Sequence, residues 1–160
     1  LKRVFIDAYN LIFSLELKEY SLEEKRQEII SLLEKLALKL HFHFILVFDG
    51  EKKLNRGLFQ RSHIKNLEII YTPPEMSADQ YIAEALTAIK KNEHIFVITS
   101  DRFLSQESRR LGAESMTIKE FFTWISTQTR KKEKKSDKPI KETDAQIERY
   151  LKLFQRDLSK

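Results

Sequence analysis

The sequence contains no cysteine, which excludes disulfides and thiolate-held zinc. That absence agrees with a reducing compartment, so a cytoplasmic location is expected and no disulfide-linked partner. No apolar run approaches the roughly 20 residues that a membrane-spanning helix needs, so no membrane partner is expected. Leu1-Lys2-Arg3 leads into a short apolar run that stops at Asp7, unlike the longer apolar centre of a secretory leader. The first residue is Leu, not Met, which leaves an upstream segment open. There are only three glycines and neither a G-x-G-x-x-G nor a Walker lysine loop, so a phosphate-cradling loop is hard to place. No serine sits in a G-x-S-x-G elbow. His41, His43, His63 and His94 lack metal-ligand spacing, and the pair flanking Phe42 has the pattern of a half-buried strand mouth.

What is present suits one domain: 160 residues, 41% of them hydrophobic. The net charge of +5 is unevenly placed. Residues 1–129 hold eighteen basic and eighteen acidic side chains, and residues 142–160 hold four of each. The whole excess lies in Arg130 to Lys141, with seven basic and two acidic residues. Such a run is either a solvated linker or an arm that meets phosphate.

Four apolar runs, Val4–Ile6, Phe44–Phe48, Leu67–Tyr71 and Ile95–Ile98, read as strands covered on both faces, since none shows polar alternation. Helical stripes lie between them, through Leu22, Ile29, Leu33, Leu36 and Leu40, and through Ala78, Ile82, Ala85, Leu86 and Ile89. Capping boxes mark helix starts at Ser21, Ser77, Thr117 and Thr143, each with Glu or Gln three residues on. Strand–helix alternation implies a parallel sheet. The expected fold is α/β, a three-layer sandwich around a central, mostly parallel sheet. Residues 1–129 form the sheet domain in this reading, 130–142 a basic linker, and 143–160 a C-terminal amphipathic helix. That helix carries Ile147, Tyr150, Leu151, Phe154 and Leu158 on one face.

The chemistry lies just past the strands. Asp7 ends the first, Asp49 follows the second, Asp101 follows the fourth, and Asp79 opens the helix after the third. In open α/β sheets the carboxyl edge is where ligands bind. Each residue alone has a structural explanation: Asp49-Gly50 is a common turn pair, Asp79 and Asp101 favour helix N-termini, and Asn10 suits a turn. As a set, four converging carboxylates repel one another, and a hard divalent cation relieves that repulsion. Phosphoryl chemistry uses such a cation to polarise phosphate and activate water. Lys52, Lys53, Arg56 and Arg102 lie near the expected mouth and fit a nucleic-acid track, although loop lysines are usually only solvated.

The ordered set Asp7-x-Tyr9-Asn10-Leu11-Ile12, Phe48-Asp49-Gly50, Tyr71-Thr72, Ser77-Ala78-Asp79-x-x-Ile82, Thr99-Ser100-Asp101 and Gly112-Ala113 with Met116 resembles the NYN branch of the PIN-like nucleases, and within it the YacP-like family. These pieces span about three quarters of the chain, from Lys2 to Phe121. Ala8 departs from the family, which usually has glycine there. The resemblance implies an Mg²⁺- or Mn²⁺-dependent endoribonuclease acting in messenger RNA decay, with RNA and the ribosome as partners. It implies Asp7, Asp79 and Asp101 as metal ligands with Asp49 beside them, and Asn10 and Ser100 orienting phosphate or ligands. Lys131, Lys132, Lys134 and Lys135 are further candidates for RNA contact. The alternative is a non-catalytic RNA- or ribosome-binding module on the same fold.

Overall fold

A computed structural model describes residues 1–15, 17–50, 60–90, 93–136 and 142–158. Among the described residues six strands and six helices follow in this order: β1 Arg3–Asp7, α1 Ala8–Ser14, α2 Leu22–Leu40, β2 His43–Phe48, β3 Gln60–Ile64, β4 Leu67–Tyr71, α3 Ala78–Thr87, β5 Ile95–Ile98, α4 Arg102–Arg110, β6 Glu114–Met116, α5 Ile118–Lys134 and α6 Glu142–Leu158. The sheet order is β3-β4-β2-β1-β5-β6. All pairings are parallel except that of β3 with β4.

The strands' parity builds the layers. Val4 and Ile6, Phe44, Leu46 and Phe48, Leu67 and Ile69, Phe96 and Ile98 face one core, shared with α1, α2, α5 and α6. Phe5, Ile45, Val47, Ile70, Ile95 and Val97 face the other, under α3 and α4. Side chains alternate across a strand, so both sets must be apolar, and the sequence accordingly reads as unbroken apolar runs. The two strands not anticipated, β3 and β6, are the sheet's edges. Their sequences, QRSHI and ESM, carry the polar residues that an edge tolerates and that hide it from an apolar-run search.

Capping boxes close the starts of α2 at Ser21, α3 at Ser77 and α5 at Thr117, each with both reciprocal bonds present. The fourth motif differs, because α6 already begins at Glu142, one residue before Thr143. The segment expected as linker differs too. Helix α5 continues to Lys134, with Lys135 as its cap. Lysine, arginine and glutamate are good helix formers, and Glu133 is anchored: Lys39 of α2 bonds Glu133 at 2.7 Å and Asp144 of α6 at 2.8 Å. Residues 137–141 lie outside the described ones. Helix α6 buries Ile147 and Leu151 in the first core, so this stripe packs on the sheet domain itself; the side chains of Phe154 and Leu158 lie outside those described.

His41 ends α2 in the left-handed conformation, at φ 55°. His43 meets buried Glu68 across the sheet at 2.7 Å. Neither approaches the carboxyl edge, because both sit where β2 begins.

Candidate active site

The chain changes direction at β1. Strands β2 and β4 are laid down on one side, β5 and β6 on the other, so a crevice opens at the carboxyl ends of β1 and β5. Ligands bind at such a switch point. Helix α1 leaves β1 with no intervening loop: Asp7 is its N-cap and accepts from the Asn10 N–H at 3.4 Å. Asn10 is therefore helical and not in a turn, and Ala8 is the fully buried first residue of α1. Asp101 caps α4 in the same way, accepting from the Leu104 N–H at 2.8 Å. The buried Thr99 accepts from the Asp101 N–H at 3.1 Å. Asn10 Oδ1 accepts from the Ser100 N–H at 2.8 Å, stitching α1 to the β5 loop across the crevice.

The four aspartates come from four separate elements, yet Asp7 and Asp79 each feel the charge of Asp49 and Asp101. Burial, then Asp79, and more weakly Asp49 and Asp101, push the Asp7 carboxyl up to about 7, against the pull of the Asn10 N–H. Burial, with Asp101 and Asp49, also raises Asp79, partly offset by a hydrogen bond from Asp7. A carboxyl that is half protonated near neutrality and shares its proton with a neighbour is the mark of burial combined with crowded negative charge.

All donors in this cradle are carboxylate oxygens, the set that hard divalent cations prefer. Among the described residues no three acidic or histidine side chains are drawn together as a closed metal site. The aspartates feel one another at longer range, and the Asp7–Asp79 hydrogen bond occupies oxygens that a cation would take. The donor chemistry fits Mg²⁺ or Mn²⁺, and a cation held there would have to displace the Asp7 proton.

Thr72 appears in the sequence only as part of the Tyr71-Thr72 resemblance, with no role assigned. It directly follows β4, as Thr99 follows β5, and it is 1% exposed. Its hydroxyl accepts from the Gly50 N–H at 2.6 Å and donates to the Met76 carbonyl at 2.6 Å. One side chain thus ties the Asp49-Gly50 corner to the turn that leads into α3 and Asp79. Gly50 has no alternative there, since a Cβ would lie 1.9 Å from the Thr72 carbonyl oxygen. The available signal was a small hydroxyl residue directly after an apolar strand, repeated at Thr99.

Of the basic candidates, Arg102 is exposed beside Asp101. Lys52, Lys53 and Arg56 lie outside the described residues. Lys131, Lys132, Lys134 and Lys135 are exposed, but they are far from the aspartates. Helix α5 starts next to the end of β6 and has 17 residues, so its lysines lie about 20–25 Å from that end at 1.5 Å per residue. The Lys39–Glu133 pair confirms the placement, because Lys39 lies just before the start of β2.

A mostly parallel sheet gathers aspartates at its carboxyl edge, and a family match gives this arrangement its class, a nuclease-type α/β domain. The chain belongs to the YacP-like NYN domain family, which it matches over residues 4–158. It is similar to the crystal structure of Rae1 (YacP) from Bacillus subtilis, with 26% identity and a TM-score of 0.66 over 84% of this chain and 79% of that one. A single-substitution mutant of the same Bacillus subtilis protein matches at 26% identity and a TM-score of 0.63 over 98% of both chains. No curated protein sequence matches. Among the described residues no helix is long and apolar enough to cross a membrane.

Proposed function

We propose that this chain is a divalent-metal-dependent endoribonuclease that hydrolyses RNA phosphodiester bonds in the cytoplasm, in messenger RNA decay on or near the ribosome. The observation that carries the reading is the convergence of Asp7, Asp49, Asp79 and Asp101 at the switch point, where burial first and the neighbouring carboxylates second raise both Asp7 and Asp79. These four side chains would hold Mg²⁺ or Mn²⁺, with Asp7 giving up its proton as the cation enters. Bound there, the cation would polarise a backbone phosphate and lower the pKa of the attacking water. Asn10 has its amide oxygen committed to the Ser100 N–H, so it can offer phosphate only its N–H donors. Ser100 and Arg102, both exposed beside Asp101, add a hydroxyl and a fixed positive charge on the same side of the crevice.

The test is cleavage of labelled single-stranded RNA, free and on ribosomes, in Mg²⁺ or Mn²⁺. Cleavage should stop in EDTA, and Asp79→Asn should slow it at least about 100-fold, as expected for loss of a charged group needed in the transition state. Cleavage that survives exhaustive chelation would sink the reading. Tight RNA binding with no cleavage on either substrate would instead favour a non-catalytic RNA-binding module.

A further inference from the structure

Phe13 is 56% exposed and Phe103 is 75% exposed. They lie on α1 and α4, the helices that begin at Asp7 and Asp101 on either side of the crevice; the Asn10–Ser100 bond ties α1 to the loop just before α4. Phe103 stands two residues beyond Asp101 and next to Arg102. Phe13 is one helical turn beyond Asn10, on the same side of α1.

Phe13 also terminates a row of rings along the carboxyl edge. It stacks on Tyr9 at 5.5 Å with an interplanar angle of 17°. Tyr9 meets Phe48 edge-on at 5.2 Å, and Phe48 stacks on Tyr71 at 4.8 Å. The Arg26 guanidinium lies over both of the last two rings. One face of Phe13 is therefore held by packing while the side chain stays open to solvent. Exposed phenylalanine costs solvation free energy, and among the described residues both exposed phenylalanines lie on helices that begin at this acidic crevice. A ligand suited to this mouth must offer flat apolar surfaces and anionic groups in alternation. A single nucleic-acid strand does so, whereas a duplex hides its base faces.

We infer that Phe13 and Phe103 are base-stacking platforms at the mouth of the crevice, and that they restrict the substrate to single-stranded RNA. This rests on the nuclease reading for its substrate class. Stacking tolerates any base, because every base has a π-face, so the platforms select strandedness and not sequence. Arg102 beside Phe103 would take the phosphate that follows the stacked base.

The test is equilibrium binding of a labelled single-stranded RNA of about ten nucleotides, long enough for a typical single-strand site, and of the same sequence as a duplex. A 2-aminopurine in the single strand reports stacking by quenching. Phe103→Leu and Phe13→Leu, both at solvent-exposed positions, should each weaken single-strand binding about 10-fold and relieve the quenching. Phe103→Trp should restore both, and duplex binding should not change. Leucine variants that bind and quench like the parent would overturn the inference, as would Leu variants that bind normally while Phe103→Ser does not. The latter pattern marks a general apolar contact with a protein partner. Cleavage activity keeps the two readings apart: ring-dependent binding without cleavage defeats only the nuclease reading, and metal-dependent cleavage indifferent to both rings defeats only this one.

Discussion

Asp7→Asn should make the metal-free protein more stable, and increasingly so as pH rises. Folding lifts the Asp7 carboxyl from an ordinary 3.8 to about 7, so the folded state binds this proton more tightly than the unfolded chain does. Below about pH 4 both states are protonated and the residue contributes no penalty. Between about pH 4 and 7 the unfolded chain ionises first, so stability falls as pH rises. Above about 7 the full penalty is in place. At 1.36 kcal/mol per pH unit, a rise of about three units sets a ceiling of about 4 kcal/mol. Partial exposure of Asp7 to solvent and the changed bond to Asp79 reduce the expected gain to about 2–3 kcal/mol. Asparagine keeps an oxygen for the Asn10 N–H, so the α1 cap survives the change.

The measurement is thermal unfolding in EDTA at about pH 5, 6.5 and 8, for parent and variant. A domain of this size shifts by about 2–4 °C per kcal/mol, so the variant should melt about 5–10 °C higher at the top of the range and lose most of that advantage at the bottom. Mn²⁺ should then raise the parent's Tm more than the variant's, because only the parent keeps all four carboxylates. A variant less stable than the parent at pH 8, or a difference that does not change with pH, would mean that Asp7 is a structural cap and that the crowding of charge is not real.

Two further outcomes follow from other parts of the structure. Thr72→Val keeps the shape of a buried side chain but strands the Gly50 N–H and frees the Met76 carbonyl, so it should cost about 1–3 kcal/mol by urea unfolding; it should also lower kcat more than KM and weaken Mn²⁺ binding, with Thr72→Ser restoring all three. Replacing Lys131, Lys132, Lys134 and Lys135 with glutamine should flatten the salt dependence of binding to a long RNA, since each phosphate contact releases about 0.7 of a counterion from a single strand; binding of an RNA too short to leave the crevice should not change.

The central strands were legible because burial on both faces forces an unbroken apolar run, as in Phe44–Phe48 and Ile95–Ile98. The edge strands were not, because Gln60–Ile64 and Glu114–Met116 carry mixed side chains and are defined by a neighbour's backbone, which leaves no local signature. Helix α1 was missed for a different reason. Its seven residues are too few to show a stripe, and its cap is Asp7, a residue already read as chemistry. Both roles hold at once: the carboxylate that caps α1 also stands in the cradle. The aspartates could be found one by one from their places after strands; Thr72 has such a place too, but its role could not be read there, because it joins two loops that are distant in sequence.

The lysine segment shows where sequence position misleads. It carries the whole net charge of the chain, and in one dimension it simply follows the nuclease elements, which invites a reading as an arm that delivers RNA to the aspartates. Helix α5, however, runs back along the sheet and puts these lysines at the opposite pole, where Lys39, Glu133 and Asp144 bind three helices together. A strand held in the crevice must cross about 20–25 Å of protein surface before it meets them. The segment cannot therefore supply the charge that offsets the acidic cradle for a short substrate; among the described residues Arg102 is the basic candidate beside the crevice, and in the proposed reading a cation would do the rest. What the lysines can do is hold a second stretch of the same RNA, or a separate structured one, and these two cases part on length. If the quadruple glutamine variant loses affinity only for RNAs long enough to span the sheet, one strand touches both poles. If it loses affinity for a folded RNA while cutting short single strands at the parent's rate, the two poles serve different molecules. Loss of binding to short and long strands alike would contradict the geometry of α5 itself.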